Sequence, residues 1–319
     1  MFGTLGLQIK YLLILQHLRD ITNGVFDNFF ISITWFGELI IPLSVMAIVY
    51  WGINKRIGQF MLFTFGLTLF TNVFLKMTAC IKRPWLLDSS VKPIERVLPA
   101  ADGYSFPSGH TAGATAVWGS IAYKWWKNKI LRYSMIAIIL LVGFSRNYVG
   151  VHTPQDVIVS IVAGIFIMLF TDKLLKWIDK KPERDFIFYI LIIWLTILLY
   201  GYLHIKCCAQ MTAYNELTDT INPVSMKQGV YPKISFMLGI FTGWLLEKRL
   251  VKYEIPDKMT KIKKTVVILA GVVVLYAISS VLNSLLSAVT YKYLAYTITS
   301  FASAIFITCL YPFVIKKLN

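Results

Sequence analysis

The chain has 319 residues, 57% hydrophobic and only 15% charged, with a mean hydropathy of +0.64. Soluble domains carry about 25% charged residues, so the composition argues against one. The net charge of +16 does not imply nucleic acid, because Lys and Arg fall in short loops between apolar runs and form no basic helix face with interleaved aromatics.

Apolar runs of about 20 residues recur, long enough to cross a bilayer as helices. The expected fold is therefore all-α: a polytopic helical membrane protein with about nine spans. Residues 1–28 are apolar but contain Gln8, Lys10, Gln16, His17 and Arg19, and read as an interfacial helix. No cleavable leader pattern stands out. The expected spans are 29–52, 57–78, 109–126, 130–149, 153–173, 186–205, 231–247, 265–287 and 293–315. Glu38 falls inside the first. A carboxylate there calls for a partner, through a substrate contact or a helix–helix hydrogen bond.

The second span ends in K-x6-R-P: Lys76, Arg83 and Pro84. Seven residues at about 100° each bring the two cations to one helix face, and Pro84 marks the helix end. Such a pair suits a phosphate, or simply snorkels to head groups. Residues 85–106, with Trp85, Asp88, Lys92, Glu95, Arg96 and Asp102, read equally as a lid or as a solvated connection.

The third span opens with P-S-G-H: Pro107, Ser108, Gly109 and His110. Glycine permits close backbone approach, and a helix N-terminus favours an anion. His110 would sit beside it, able to protonate a leaving oxygen; the plainer reading is a capped turn with an interfacial histidine. The fourth span ends in Ser145 and Arg146. His152 and Asp156 follow at i, i+4, sharing a face if a helix begins near Thr153–Pro154. The carboxylate would fix one imidazole nitrogen and leave the other to attack phosphorus; alternatively it caps the helix.

Lys55 and Arg56; Lys124, Lys127, Lys129 and Arg132; Lys173, Lys176, Lys180, Lys181 and Arg184; Lys248 to Lys264; and Lys316 and Lys317 fall on one side if nine spans are right. That side is expected to be cytoplasmic, putting the N-terminus outside, the C-terminus inside and all three motifs at the extracytoplasmic face. The domain reading is an interfacial segment 1–28, a catalytic core 29–178, and a membrane extension 179–319 of unassigned role. A second loop, 206–230, carries Tyr214, Asn215, Glu216, Asp219 and Lys227. Cys80 and Cys207 or Cys208 share the outer side, so a disulfide there is conceivable, although idle thiols are the simpler reading.

Together these residues resemble the type 2 phosphatidic acid phosphatase superfamily, which includes glucose-6-phosphatases and shares its core with vanadium haloperoxidases. The resemblance covers roughly residues 57–175. It implies a compact helical core with the phosphate site at the outer membrane face. It implies His152 as nucleophile, forming a phosphohistidine, Asp156 orienting it, and His110 protonating the leaving group and then assisting water. Lys76, Arg83, Ser108, Gly109 and Arg146 would hold phosphate oxygens. No metal or other cofactor is implied, and no metal-ligand cluster is evident.

The expected function is hydrolysis of a lipid phosphate or diphosphate (phosphatidate, phosphatidylglycerol phosphate or polyprenyl diphosphate) in a bacterial plasma membrane, with the lipid substrate and membrane lipids as partners and the oligomeric state open. Nine spans also resemble glucose-6-phosphatases and sphingosine-1-phosphate phosphatases, which keeps a sugar phosphate as the alternative. An anion or lipid transporter would leave the acid, nucleophile and orienting carboxylate unexplained, and transporters often show paired halves or broken helices.

Overall fold

The computed structural model describes residues 2–101, 103–213, 221, 223–257 and 259–319, with side chains described except at 2–4, 207–213, 223–225 and 228. All regular structure among these residues is helical. The helices are α1 (Phe2–Ile21), α2 (Asp27–Thr34), α3 (Ile40–Ile48), α4 (Lys55–Ala79), α5 (Pro84–Leu87), α6 (Gly109–Lys124), α7 (Lys129–Tyr148), α8 (Pro154–Asp179), α9 (Arg184–Ala213), α10 (Pro223–Leu246), α11 (Lys261–Val289), α12 (Lys292–Ile305) and α13 (Tyr311–Leu318).

Among the described residues, seven helices are long and apolar enough to cross a membrane, or eight if a pair bent by 45° at residues 37–40 is one span. The nine expected spans are thus not all recovered. The one that falls short is 109–126. Its helix, α6, has 16 residues, about 24 Å at 1.5 Å per residue, against a hydrocarbon core of about 30 Å. Twelve of those residues are buried, so protein rather than lipid surrounds it. The first span is not one straight helix either: it breaks at Glu38, whose backbone is extended (φ −80°, ψ 160°). α1, with Lys10, Arg19 and Asp20, is not counted as a span.

The chain divides into two compact units. Unit 1 comprises Met1–Pro42, Thr71–Met168 and Lys206–Met226. Here α6 presents small residues, Ala112, Gly113, Ala114, Thr115, Ala116 and Gly119, all buried. Small faces let helices approach closely: a Cβ on Gly164 of α8 would lie 2.6 Å from the Thr115 side chain. α1 is tied down by Gln16, which accepts from the Lys92 N–H at 2.7 Å, and by Arg19, which donates to the Lys92 carbonyl at 2.6 Å. Segment 85–106 is not merely a solvated connection. Val97 and Ala101 pack with Tyr148, Val149 and Val151, and the Ile94 N–H donates to the Val149 carbonyl.

Unit 2 comprises Leu43–Phe70, Leu169–Ile205 and Lys227–Asn319. Three π-helical segments, Val49–Ile53, Glu247–Val251 and Phe306–Leu310, share one polar network. Glu247, 1% exposed, accepts from Tyr50 Oη at 3.2 Å, from Lys55 Nζ at 2.8 Å and from the Tyr253 N–H at 2.6 Å. Trp51 donates to the Ile307 carbonyl at 2.8 Å, and Tyr253 donates to the Trp51 carbonyl. Several loop cations are paired: Lys248 and Arg249 with Asp185, and Arg56 with Asp179. Cys309 is buried; the alternative of a Cys80 disulfide falls on Cys207 and Cys208, whose side chains lie outside the described residues.

Glu247→Leu removes the acceptor shared by the buried Tyr50 hydroxyl, the buried Tyr253 N–H and the half-buried Lys55 ammonium. Breaking a buried ionic network costs about 3–5 kcal/mol, so chemical unfolding in detergent should show a loss of that size, with Lys55→Met costing less.

Candidate active site

Asp156 stands at the start of α8. Thr153 precedes the helix, and the two residues cap it reciprocally: Asp156 Oδ2 accepts from the Thr153 N–H at 2.8 Å, while Thr153 Oγ1 accepts from the Asp156 N–H at 3.4 Å. This is a capping box with aspartate in the third helical position. The same Oδ2 accepts from Ser105 Oγ at 2.5 Å and lies 3.3 Å from His152 Nδ1. His152 precedes the helix, so the pair meets across the cap rather than along one helix face. Asn147 donates to the His152 carbonyl at 2.9 Å.

His152 Nε2 faces Arg83, whose Nη1 is 3.0 Å away. Burial first, and the Arg83 charge second, hold His152 well below the ordinary histidine range. Both effects favour the neutral ring, with Nδ1 facing the carboxylate and Nε2 facing Arg83.

The expected common helix face of Lys76 and Arg83 is not formed. α4 stops at Ala79, Cys80 takes φ +49°, and Arg83 lies in extended backbone before α5. The chain reversal still delivers both to one place. Lys76 Nζ donates to the Tyr104 and Ser105 carbonyls at 2.6 and 3.2 Å. Arg83 donates to the Gly103 and Val151 carbonyls at 3.1 and 2.9 Å. Arg146, 1% exposed, feels the charges of Arg83 and Glu38, and its buried Nε has no hydrogen-bond partner.

Ser108 caps α6: its Oγ accepts from the Thr111 N–H at 3.4 Å, and its own N–H donates to the Asp156 carbonyl at 3.2 Å. A Cβ on Gly109 would meet nothing nearer than Asn72 Oδ1 at 3.9 Å, so the glycine leaves room there. His110 Nε2 is 3.7 Å from Glu38 Oε1. The partner that Glu38 requires is thus His110. Gly37 makes this possible, since a Cβ there would lie 2.7 Å from the His110 carbonyl oxygen. Ser105 carries no signal in the sequence, because nothing there marks a serine two residues before a motif.

Two family models match the chain. Residues 59–180 match the PAP2 superfamily, and residues 233–319 match the transmembrane extension of PAP2 superfamily phosphatases. Undecaprenyl-diphosphatase BcrC of Bacillus subtilis is 31% identical over 165 residues, 49% of this chain and 81% of that protein. The chain belongs to the PAP2 superfamily. Phosphatidylglycerophosphatase B of B. subtilis is 33% identical over 135 residues, 40% of this chain and 60% of that protein. An undecaprenyl-diphosphatase of Sulfolobus acidocaldarius is 29% identical over 134 residues, 40% of this chain and 59% of that protein. No solved structure gives a significant match.

Gly37→Ala forces a methyl group onto the His110 carbonyl. Overpacking of this kind costs about 1–3 kcal/mol, so the detergent-purified variant should unfold earlier on thermal denaturation than wild type.

Proposed function

We propose that this PAP2 superfamily member hydrolyses a lipid phosphate or diphosphate through a phosphohistidine on His152, at the extracytoplasmic membrane face and without a metal. One observation carries the reading: a buried imidazole has its Nδ1 directed to Asp156 and its Nε2 directed at Arg83. A phosphoryl group taking the place of the Arg83–His152 contact would meet Nε2 as nucleophile and Arg83 as a forked donor. The unpartnered Nε of Arg146 and the ammonium of Lys76 would share its charge. The Ser108–Gly109 end of α6 would offer backbone N–H groups. In the first step the Nε2 lone pair forms the P–N bond. The P–O bond breaks, and the leaving oxygen takes a proton from His110. In the second, water gives its proton to His110 as its oxygen displaces His152 from phosphorus. The fixed cations supply the charge that a metal ion would otherwise provide.

The relatives' names favour undecaprenyl diphosphate and phosphatidylglycerol phosphate over a sugar phosphate. The orientation rests on the basic loops. It requires α6 to act as a ninth crossing, which its burial allows: a helix sheathed by protein need not match the bilayer in apolar length. A catalytic core of residues 29–178 followed by a membrane extension is in keeping with the two family matches.

Purified protein should release phosphate from at least one of phosphatidate, phosphatidylglycerol phosphate and undecaprenyl diphosphate, undiminished by EDTA. His152→Ala should lower kcat at least about 10³-fold. Absence of release from folded wild type, or release only of glucose 6-phosphate's phosphoryl group, overturns the lipid reading. Ser105→Ala removes a hydrogen bond to a charged group, about 1.5–3 kcal/mol, so kcat should fall about 10–100-fold.

A further inference from the structure

Glu38 is a carboxylate at a break in a membrane helix pair, and the break is built around it. The turn is fastened to α6 by Trp118 Nε1, which donates to the Phe36 carbonyl at 2.8 Å, and by the contact of Gly37 with the His110 backbone. The Glu38 N–H closes onto the Trp35 carbonyl at 3.1 Å, and its carboxylate is held by His110 and Thr34. Its side chain is 38% exposed, against 18% for His110. The result points one carboxylate oxygen at one ring nitrogen of His110, 3.7 Å away.

We propose that Glu38 is a positioning residue that holds His110 as an imidazolium, ready to protonate the leaving oxygen. The assignment rests on the phosphatase reading above. An imidazolium carries two N–H donors. Nε2 is turned to Glu38, and Nδ1 is assigned as the donor to the substrate. When Nδ1 gives its proton to the oxygen as the P–O electron pair departs, His110 becomes neutral and keeps its Nε2 proton against Glu38. Nδ1 is then the base that takes a proton from water in the second step, which restores the imidazolium. The site would hold two carboxylate–histidine pairs with opposite settings. Asp156–His152 lies buried beside Arg83, where the neutral ring is favoured. Glu38–His110 lies at the rim, where a nearby carboxylate favours the charged ring. Arg146 on α7 acts on the same Glu38 carboxylate, and at the start of α8 the Asp156 carbonyl receives the N–H of Ser108, two residues before His110. Glu38 is the carboxylate that faces the His110 ring.

The test compares wild type, Glu38→Gln, Glu38→Asp, His110→Ala and the Glu38→Gln/His110→Ala double variant in detergent, each checked for folding by thermal unfolding. Phosphatidate has an alkoxide leaving group that needs a proton; p-nitrophenyl phosphate has one that departs readily without it. Glu38→Gln should lower kcat on phosphatidate about 10–100-fold, part of the effect of general acid catalysis, with little loss on p-nitrophenyl phosphate. The basic limb of kcat/KM should move to lower pH by about one unit or more, because the ring loses its proton sooner. Glu38→Asp should restore much of the activity, and the double variant should be no slower than His110→Ala. Equal loss on both substrates with an unmoved basic limb, or no loss at all, overturns the role of Glu38. A wild type inactive on every phosphate overturns the phosphatase reading instead.

Discussion

The structure of the site depends on one buried carboxylate oxygen. Asp156 is 2% exposed, and an ionised carboxylate at such a position is tolerated only when donors surround it. Oδ2 has three: the Thr153 N–H, Ser105 Oγ and the ring of His152. Each comes from a different structural need. The first starts α8, the second anchors the end of segment 85–106, and the third sets the imidazole tautomer. The backbone of the same residue reaches further, since the Asp156 carbonyl accepts from both Ser108 N–H and Ser160 Oγ. The third motif is thereby locked to the second through the backbone.

Around this anchor the cations are treated unequally. Lys76 and Arg83 spend donors on backbone carbonyls, which fixes them in place. Arg146 keeps a buried donor without a partner, an arrangement that costs stability in the isolated protein. A polar group left unsatisfied within a cation cluster is where an anionic ligand gains most, because binding then removes a penalty as well as adding an attraction.

The apolar runs and the three motifs were legible in the sequence because both are local patterns. What they could not convey was how the chain turns between them. The spacing of Lys76 and Arg83 suited one helix face, yet a left-handed Cys80 ends α4 first; the residues converge through a reversal that no periodicity encodes. The 109–126 run has a span's composition, but its small residues make α6 a buried helix, and burial relaxes the length that lipid would demand. Glu38 was legible as an anomaly without a partner, and His110 lies 72 positions away along the sequence. Ser105 and the Glu247 network were silent for the same reason: their meaning resides in residues that are distant in the chain.

That distance has a temporal side. Trp51 donates to a carbonyl 256 residues further along, and Tyr50 finds its carboxylate 197 residues later. At about 5–20 residues per second of synthesis, these indole and phenol groups emerge tens of seconds before their partners exist. During that interval they must be accommodated by lipid head groups, water or the insertion machinery. Unit 2 closes only when the segment around Phe306–Leu310 arrives, so its N-terminal and C-terminal parts mature together, however early the first helices enter the membrane.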